Sequence, residues 1–231
     1  MTPDRALLFD LDGTLTDNHR GIAASIRYAL ERLGATIPHD AALRSRVGPP
    51  LRETFAHFLE TNDEMRIELA IGHYRERFAD VGWQENVVYD GIVDLLAVLV
   101  AQRQRLFLCT AKPEIFARRI VQHFGFASHF VGIYGADLAG DFDDKAKLLR
   151  RLLTAEGLEA SKTVMIGDRG NDVRAAHANN VCAIGVLWGF GSRQELADAD
   201  AVAENPRDLE RLLKRRLPNR RTASGIAQRS A

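Results

Sequence analysis

The chain has 231 residues, a length that suits one large domain or a domain with a small insertion. Its 31 basic and 31 acidic residues balance, so no overall field attracts it to nucleic acid or membrane surfaces. The composition, 46% hydrophobic and 27% charged, is that of a globular protein, and no apolar run is long enough to cross a membrane. Cys109 and Cys182 each lie in an apolar run and are predicted to be buried free thiols. We therefore expect a soluble, cytoplasmic protein, a monomer or homodimer, with no nucleic-acid or membrane partner.

The first predicted element is an apolar strand that ends in two acids, within residues 6–15, ALLFDLDGTL. Asp10 and Asp12 point to the same side for as long as the strand geometry continues. Without a partner, their charges would repel each other and lose hydration. A bound cation removes both problems and leaves a carboxylate ready to act as a nucleophile.

The next stretch, residues 17–88, contains helical periodicity and no convincing strand. Helices are predicted over 19–34, 40–47, 51–60 and 63–80. This pattern indicates a small helical unit inserted after the first strand, with junctions near 16–17 and 87–90. A helical insertion over the catalytic end of a sheet is placed to act as a lid.

The rest of the chain alternates strand and helix. With 5–10, strands are predicted over 105–110, 130–134, 162–167, 181–187 and about 200–203, and helices over 91–102, 113–124, 144–156, 171–179 and 206–216. This alternation predicts a doubly wound parallel sheet covered on both faces, in the α/β class. Ligands of such sheets bind outside the carboxyl ends of the strands, where Asp10 and Asp12 lie.

The chain ends in a basic segment. Residues 211–231 carry seven basic side chains and no acid. The last part, 218–231, has few large apolar residues and is predicted to be a disordered basic tail. A solvated tail without a role and a polyanion contact remain the two interpretations.

Two further strand ends carry candidate phosphate ligands. In residues 106–113, LFLCTAKP, a strand is expected to end at Thr110, with Pro113 at the first helical position. The hydroxyl and the N–H groups from Ala111 onward favour a bound phosphate, although Thr110 can also serve only its local backbone. In residues 143–149, DDKAKLL, Lys145 lies in a first helical turn. The helix dipole makes a positive charge mildly unfavourable there, unless the ammonium contacts an anion. A solvated lysine is the alternative, and Lys147 is the rival position.

Another strand ends in acid at residues 164–172, VMIGDRGND. Asp168 is a candidate ligand of the cation. Asp172 can orient a ligand or water, or simply cap the next helix. Each candidate has a plain structural explanation by itself, but all of them fall at carboxyl ends of strands in one sheet.

These four segments resemble the four motifs of the haloacid dehalogenase-like (HAD) hydrolases, and the resemblance covers nearly all of residues 5–213. The insertion, together with 47–52 (VGPPLR) and 185–192 (GVLWGFGS), resembles the phosphoglycolate phosphatase-like branch and its bacterial 5′-nucleotidase-like relatives. The resemblance implies a Rossmann-like core of residues 1–16 and 89–217 and a helical cap of residues 17–88.

The resemblance also implies a mechanism, that of a Mg²⁺-dependent phosphatase acting on a small phosphorylated metabolite. Asp10 would attack phosphorus and form an aspartyl-phosphate. Asp12 would protonate the leaving group and then activate water. An acid at this second position favours phosphoryl transfer over dehalogenation.

The implied ligand sets follow from the same motifs. Mg²⁺ would be held by the Asp10 carboxylate, the Asp12 backbone carbonyl and Asp168, and Asp172 would support the metal shell. The phosphoryl group would be bound by Thr110, Ala111 and Lys145.

The inserted helical unit carries the candidate for substrate specificity. Arg52, at the start of a predicted helix, is a candidate for a substrate carboxylate or second phosphate, against a surface arginine as the alternative. The first candidate function is hydrolysis of a phosphoglycolate-like ester. The alternatives are a nucleoside 5′-monophosphatase, a phosphomutase and a non-catalytic binding protein of the same fold. A lone Gly-x-Gly in residues 188–191, WGFG, is weak evidence for a dinucleotide site and fits a flexible turn.

Overall fold

The structure, a computed structural model, describes residues 5–47, 50–137 and 144–215. The chain divides into two compact units: a helical unit, Thr16–Tyr89, and a sheet unit formed by the described residues before and after it. The bounds of the helical unit lie one residue outside the expected 17–88 at each end. The expected basic tail, 218–231, lies outside the described residues.

The sheet unit is built on six strands. The strands of the described chain are β1 Ala6–Phe9, β2 Thr16–Asp17, β3 Val87–Val88, β4 Arg105–Pro113, β5 Phe130–Ala136, β6 Thr163–Gly167, β7 Cys182–Val186 and β8 Ala201–Ala203. The order in the sheet is β5-β4-β1-β6-β7-β8, and every neighbouring pair is parallel. The prediction of a parallel sheet from these six segments is confirmed. One detail was wrong: β4 does not end at Thr110 but continues, with an irregular register, to Pro113.

Helices alternate with these strands. The described α-helices are α1 His19–Arg32, α2 Asp40–Ser45, α3 Leu51–Phe58, α4 Glu64–Arg77, α5 Ile92–Ala101, α6 Glu114–His123, α7 Lys145–Ala155, α8 Gly170–Ala178 and α9 Pro206–Leu213. The doubly wound α/β class with an inserted helical unit is therefore confirmed. Pro113 precedes α6 as its N-cap instead of occupying the first helical position. Among the described residues, no helix combines the length and apolarity needed to cross a membrane.

The position of β1 determines where its acids lie. All four of its residues are buried, because helices cover both faces of the sheet. It pairs with β4 on one side and β6 on the other, with Phe9 opposite Leu108 and Ile166. Asp10 continues this register, since its N–H donates to the Ile166 carbonyl at 2.9 Å. The residues that follow β1, β4 and β6 therefore emerge at one edge of the sheet.

A buried apolar cluster packs between the sheet and α7. Leu8, Phe107 and Met165 on one face of the sheet pack with Leu148 and Leu152 of α7. None of these five side chains is exposed to solvent. Because packed cores deform little, this packing fixes the position of α7, and of its first residue Lys145, relative to the sheet.

The helical unit contains α1 to α4, a π-helical turn at Phe78–Gly82, and the pair β2–β3. The two strands are antiparallel, with Thr16 opposite Val88. The expectation of no strand within 17–88 was therefore wrong at the two ends of the insertion, since strands of two residues are too short to produce a periodic pattern. Within the unit, a Cβ atom at Gly21 would lie 2.0 Å from the Gly82 carbonyl oxygen, so glycine is required at this close approach.

Candidate active site

Three buried carboxylates meet at the carboxyl edge of the sheet. Asp10 follows β1, Asp168 follows β6, and Asp172 lies in the first turn of α8. Oxygen atoms of the three side chains lie within 4.8 Å of one another. We call these residues the acidic cluster. Their exposed fractions are 7%, 0% and 2%, so bulk water does little to screen their mutual repulsion.

Lys145 supplies a positive charge to this cluster. It is the first residue of α7, and the Asp144 side chain caps that helix by accepting the Ala146 N–H at 2.9 Å. The Lys145 ammonium lies 2.8 Å from Asp10 Oδ1 and also forms an ion pair with Asp172. Burial lowers the pKa of Lys145, but the charges of Asp10 and Asp172 outweigh this effect and hold the pKa above its usual range. Lys147, the rival from the sequence, instead lines a surface depression with Arg150.

One ammonium does not neutralise three carboxylates, and the pKa of Asp168 is raised. Burial, followed by the charges of Asp172 and Asp10, raises the pKa of Asp168 to about 8. Burial likewise raises the pKa of Asp172, while Lys145 opposes the rise. A divalent cation between these oxygens would reverse the effect, because it stabilises the charged form of each acid. An all-oxygen donor set of this kind fits a hard divalent cation.

Asp12 makes a contact that the sequence did not predict. Its Oδ2 atom lies 2.7 Å from the ammonium of Lys112, whose side chain is only 5% exposed. Lys112 lies two residues after Thr110 on β4, and this period of two was the available signal, because residues i and i+2 of a strand share a face. The hydroxyl of Thr110 gives the stronger signal in the sequence, because it is a direct candidate ligand for phosphate.

Thr110 lies at the same edge and is 1% exposed. Its Oγ1 atom accepts the Lys112 N–H at 3.2 Å, so the hydroxyl fixes the backbone that carries Lys112. Ala111, between them, is exposed. The local backbone role considered for Thr110 is thus present, and a phosphate contact by Thr110 and Ala111 stays a prediction.

The loop at residues 188–191 packs against the metal-binding candidates. The Phe190 N–H donates to Asp168 Oδ2 at 2.8 Å, and the Trp188 indole donates to the Thr14 carbonyl at 2.9 Å. A Cβ atom at Gly189 would lie 2.2 Å from the Gly13 carbonyl oxygen, and one at Gly191 only 1.8 Å from that of Asp168. The two glycines therefore allow close backbone contact and need no dinucleotide to explain them.

Arg52 lies in the helical unit, on α3. Its guanidinium forms ion pairs with Glu64 and Glu68 of α4. The side chain is about half exposed, so each pair contributes little to stability. A substrate contact by Arg52 stays a prediction, and such a contact would have to compete with these two glutamates.

Fold and site together define a class of protein: an α/β protein with an inserted helical unit and three clustered carboxylates, which could hold a metal ion, at the carboxyl ends of its parallel strands. Residues 7–186 match the haloacid dehalogenase-like hydrolase family, and the chain belongs to that family. The resemblance drawn from the motifs is therefore confirmed.

Several known proteins are similar to the chain. A 5′-nucleotidase of Pseudomonas aeruginosa is 48% identical over 82% of this chain and 86% of its own length. Tyrosine-protein kinase PtkA of Mycobacterium tuberculosis is 41% identical over 80% of this chain but only 62% of its own. A phosphoglycolate phosphatase of Rhodospirillum rubrum is 28% identical over 86% of each chain. A solved structure described as a predicted phosphatase from Clostridium acetobutylicum superposes with a TM-score of 0.85 at 36% identity, over 90% of this chain and 97% of its own.

The family match and these phosphatase relatives confirm the prediction of an enzyme, a phosphoric monoester hydrolase of this family. The family also supports the use of a divalent metal and of small phosphorylated substrates.

Proposed function

We propose that the protein is a Mg²⁺-dependent phosphatase that hydrolyses a small phosphomonoester through an aspartyl-phosphate on Asp10. The observation that carries the proposal is the acidic cluster, in which Lys145 lies against Asp10. Asp12, two residues from that nucleophile and in contact with Lys112, supplies the second carboxylate that phosphoryl transfer needs.

The residues that would hold Mg²⁺ are Asp10 and Asp168 through their carboxylates and Asp12 through its backbone carbonyl. Asp172 supports them from α8, where its carboxylate also accepts the Arg169 N–H at 3.0 Å. When bound, the ion would neutralise charge on the phosphoryl oxygens and on the acids. Burial, followed by the charges of Asp172 and Asp10, raises the pKa of Asp168, and a bound cation would oppose that rise.

The reaction then follows from the side chains. An Asp10 oxygen attacks phosphorus, the bond from phosphorus to the ester oxygen breaks, and Asp12 gives its proton to the departing oxygen. In the second half, Asp12 takes a proton from water, which attacks the phosphorus and releases inorganic phosphate and free Asp10. Lys145 and Thr110 bind the transferring phosphoryl group.

Two classes of phosphomonoester are candidate substrates. The motifs place phosphoglycolate-like esters first, with relatives named phosphoglycolate phosphatase in support. The stronger similarity, 48%, is to a 5′-nucleotidase and favours a nucleoside 5′-monophosphate as the second candidate. The pairing of Arg52 with Glu64 and Glu68 points the same way, because it occupies the side chain proposed for a substrate carboxylate.

A panel of phosphoesters tests the proposal. Phosphoglycolate, nucleoside 5′-monophosphates, hexose phosphates and p-nitrophenyl phosphate are compared by kcat/KM with Mg²⁺ and again with EDTA. We expect hydrolysis that EDTA abolishes, with one ester preferred. Because PtkA carries a kinase name, labelled ATP and a tyrosine peptide are run in parallel. Transfer of label to the peptide without ester hydrolysis would contradict the proposal, as would retention of activity in EDTA.

Asp10→Asn tests the nucleophile. The amide keeps the size of the side chain but cannot form the acyl phosphate, so kcat should fall by ~10³-fold or more. Trapping with labelled substrate and acid quench should give a phosphorylated wild-type protein and an unlabelled variant. A variant with wild-type turnover would refute the covalent step.

A further inference from the structure

The ion pair between Lys112 and Asp12 is close, and its lysine is buried. The ammonium lies 2.7 Å from Asp12 Oδ2, and the two side chains are 5% and 19% exposed. A lysine that loses its hydration in this way is costly unless its charge is used. The contact therefore calls for an explanation beyond surface solvation.

The backbone holds Lys112 firmly. Its N–H donates to Thr110 Oγ1, and the adjacent Pro113 lies opposite Ala136 of β5. The register of β4 with β5 shifts between Thr110 and Pro113, so an irregular strand end presents the lysine. Bulges of this kind re-aim a side chain next to an active site.

The backbone around Asp12 is equally well fixed. Gly13 has a φ of +85°, and the Leu15 N–H donates to the Leu11 carbonyl at 2.9 Å, which closes a tight turn. These bonds fix the main chain but not the rotation of the carboxylate about its side-chain bonds. The ammonium of Lys112, at hydrogen-bonding distance from one oxygen, restrains that rotation.

We propose that Lys112 is a positioning residue that holds the Asp12 carboxylate in the orientation needed for both proton transfers. The inference rests on the proposed function, in which Asp12 protonates the leaving oxygen and later takes a proton from water. The lysine transfers no proton to or from the substrate. Its effect is geometric, since general acid catalysis needs the acid within hydrogen-bonding reach of the departing atom.

A comparison of two leaving groups distinguishes a positioning role for Lys112 from a purely structural one. Departure of an alkoxide needs the proton of Asp12, whereas p-nitrophenolate leaves readily without it. In Lys112→Met, the phosphorylation step with an alkyl phosphate should slow by about tenfold or more, since general acid catalysis typically contributes 10²–10⁴-fold. Release of p-nitrophenol should show a fast burst followed by slow turnover, because dephosphorylation still needs Asp12. The dissociation constant for the alkyl phosphate and the affinity for Mg²⁺ should change little.

A double-mutant cycle makes the assignment specific. If Lys112 acts through Asp12, then Lys112→Met in an Asp12→Asn background should cause no further loss. Lys162→Met is the matched control, since it removes an exposed lysine that lies 2.7 Å from Glu159, and it should behave as wild type. Lys112→Gln, which keeps a hydrogen-bond donor, serves if the methionine variant does not fold.

The outcomes separate the inference from the proposed function. An equal loss in the Asp12→Asn background, or a raised KM for every ester alike, would place Lys112 on the substrate phosphate and overturn the inference. An active wild type in which Lys112→Met slows alkyl and nitrophenyl esters equally, without a burst, overturns it too. A wild type that hydrolyses no ester removes the proposed function, and the inference with it.

Discussion

Lys145 has two effects that can be measured separately. Its ammonium neutralises negative charge on Asp10 and Asp172, and in the proposed mechanism it also binds the phosphoryl group. The same positive charge opposes the binding of a divalent cation to these acids, because like charges repel in a buried site. Loss of Lys145 should therefore damage catalysis without weakening the metal site.

Lys145→Met tests this separation. We expect kcat/KM to fall by about 10²-fold or more, the usual order for the loss of a group that stabilises transition-state charge. Affinity for Mg²⁺, measured by calorimetry, should be unchanged or higher. Lys147→Met, two residues along the same helix, should keep wild-type activity. A parallel loss of metal affinity in Lys145→Met would contradict the assignment.

Sequence reasoning succeeded for residues whose position follows from the end of a strand. Asp10 and Asp168 were predicted because an acid stands where an apolar strand pattern stops. Lys145 was predicted because a lysine in a first helical turn opposes the helix dipole unless it meets an anion. The structure brings these three side chains together. Lys112 was missed because its signal, a period of two from Thr110, was weaker than that of the neighbouring hydroxyl. The ion pairs of Arg52 join separate helices, and such a pairing is not visible in a linear pattern.

At the scale of elements, the long strands and helices were predictable and the short ones were not. Periodicity identified all six strands of the sheet, but β2 and β3 have two residues each and carry no period. The loop at 188–191 also lacks a regular pattern. Its contribution, a backbone N–H to Asp168 and close packing on Gly13, depends on tertiary contacts between distant segments.

Gly189→Ala tests the support that this loop gives to the metal site. The new Cβ would lie 2.2 Å from the Gly13 carbonyl oxygen and 2.5 Å from the Asp168 side chain, so the loop or the acid must move. Because outer contacts of a metal ligand typically affect affinity by 10–100-fold, we expect the Kd for Mg²⁺ to rise about tenfold. Activity at low Mg²⁺ should fall and recover partly at high Mg²⁺.

Gly72→Ala is the control for that variant. Gly72 lies inside α4 with nothing within 4 Å of a new Cβ atom, and alanine favours helix by up to ~1 kcal/mol. It should leave the Kd for Mg²⁺ unchanged and raise the melting temperature slightly. Equal Mg²⁺ affinity in Gly189→Ala and wild type would show that the loop does not support Asp168.

At the scale of the whole molecule, the acidic cluster is a product of the sheet order. Asp10 and Asp168 are far apart in the chain and meet because β1 and β6 are parallel neighbours at its centre. The alternation of strands and helices predicts a parallel sheet but does not determine its strand order, β5-β4-β1-β6-β7-β8. The neighbours of β1 could not be derived from periodicity.

The clustering of these acids should make folding stability depend on pH and on metal. Without a cation, burial and the charges of Asp172 and Asp10 raise the pKa of Asp168 from 3.8 to about 8. Between these values the folded protein holds a proton that the unfolded chain has released, so the free energy of unfolding falls as pH rises. Lys145, whose pKa is raised, stays charged across this range and adds no slope.

We therefore expect the melting temperature in EDTA to fall by several degrees between pH 5 and pH 8, since 1 kcal/mol corresponds to about 2–4 °C for a chain of this size. Mg²⁺ should stabilise the protein more at pH 8 than at pH 5, because binding displaces the proton and acts by mass action. Asp168→Asn should reduce the slope in EDTA and remove most of the effect of Mg²⁺, and the slope that remains includes the contribution of Asp172, whose pKa burial also raises. An identical slope in wild type and Asp168→Asn would mean that Asp168 does not carry the displaced proton.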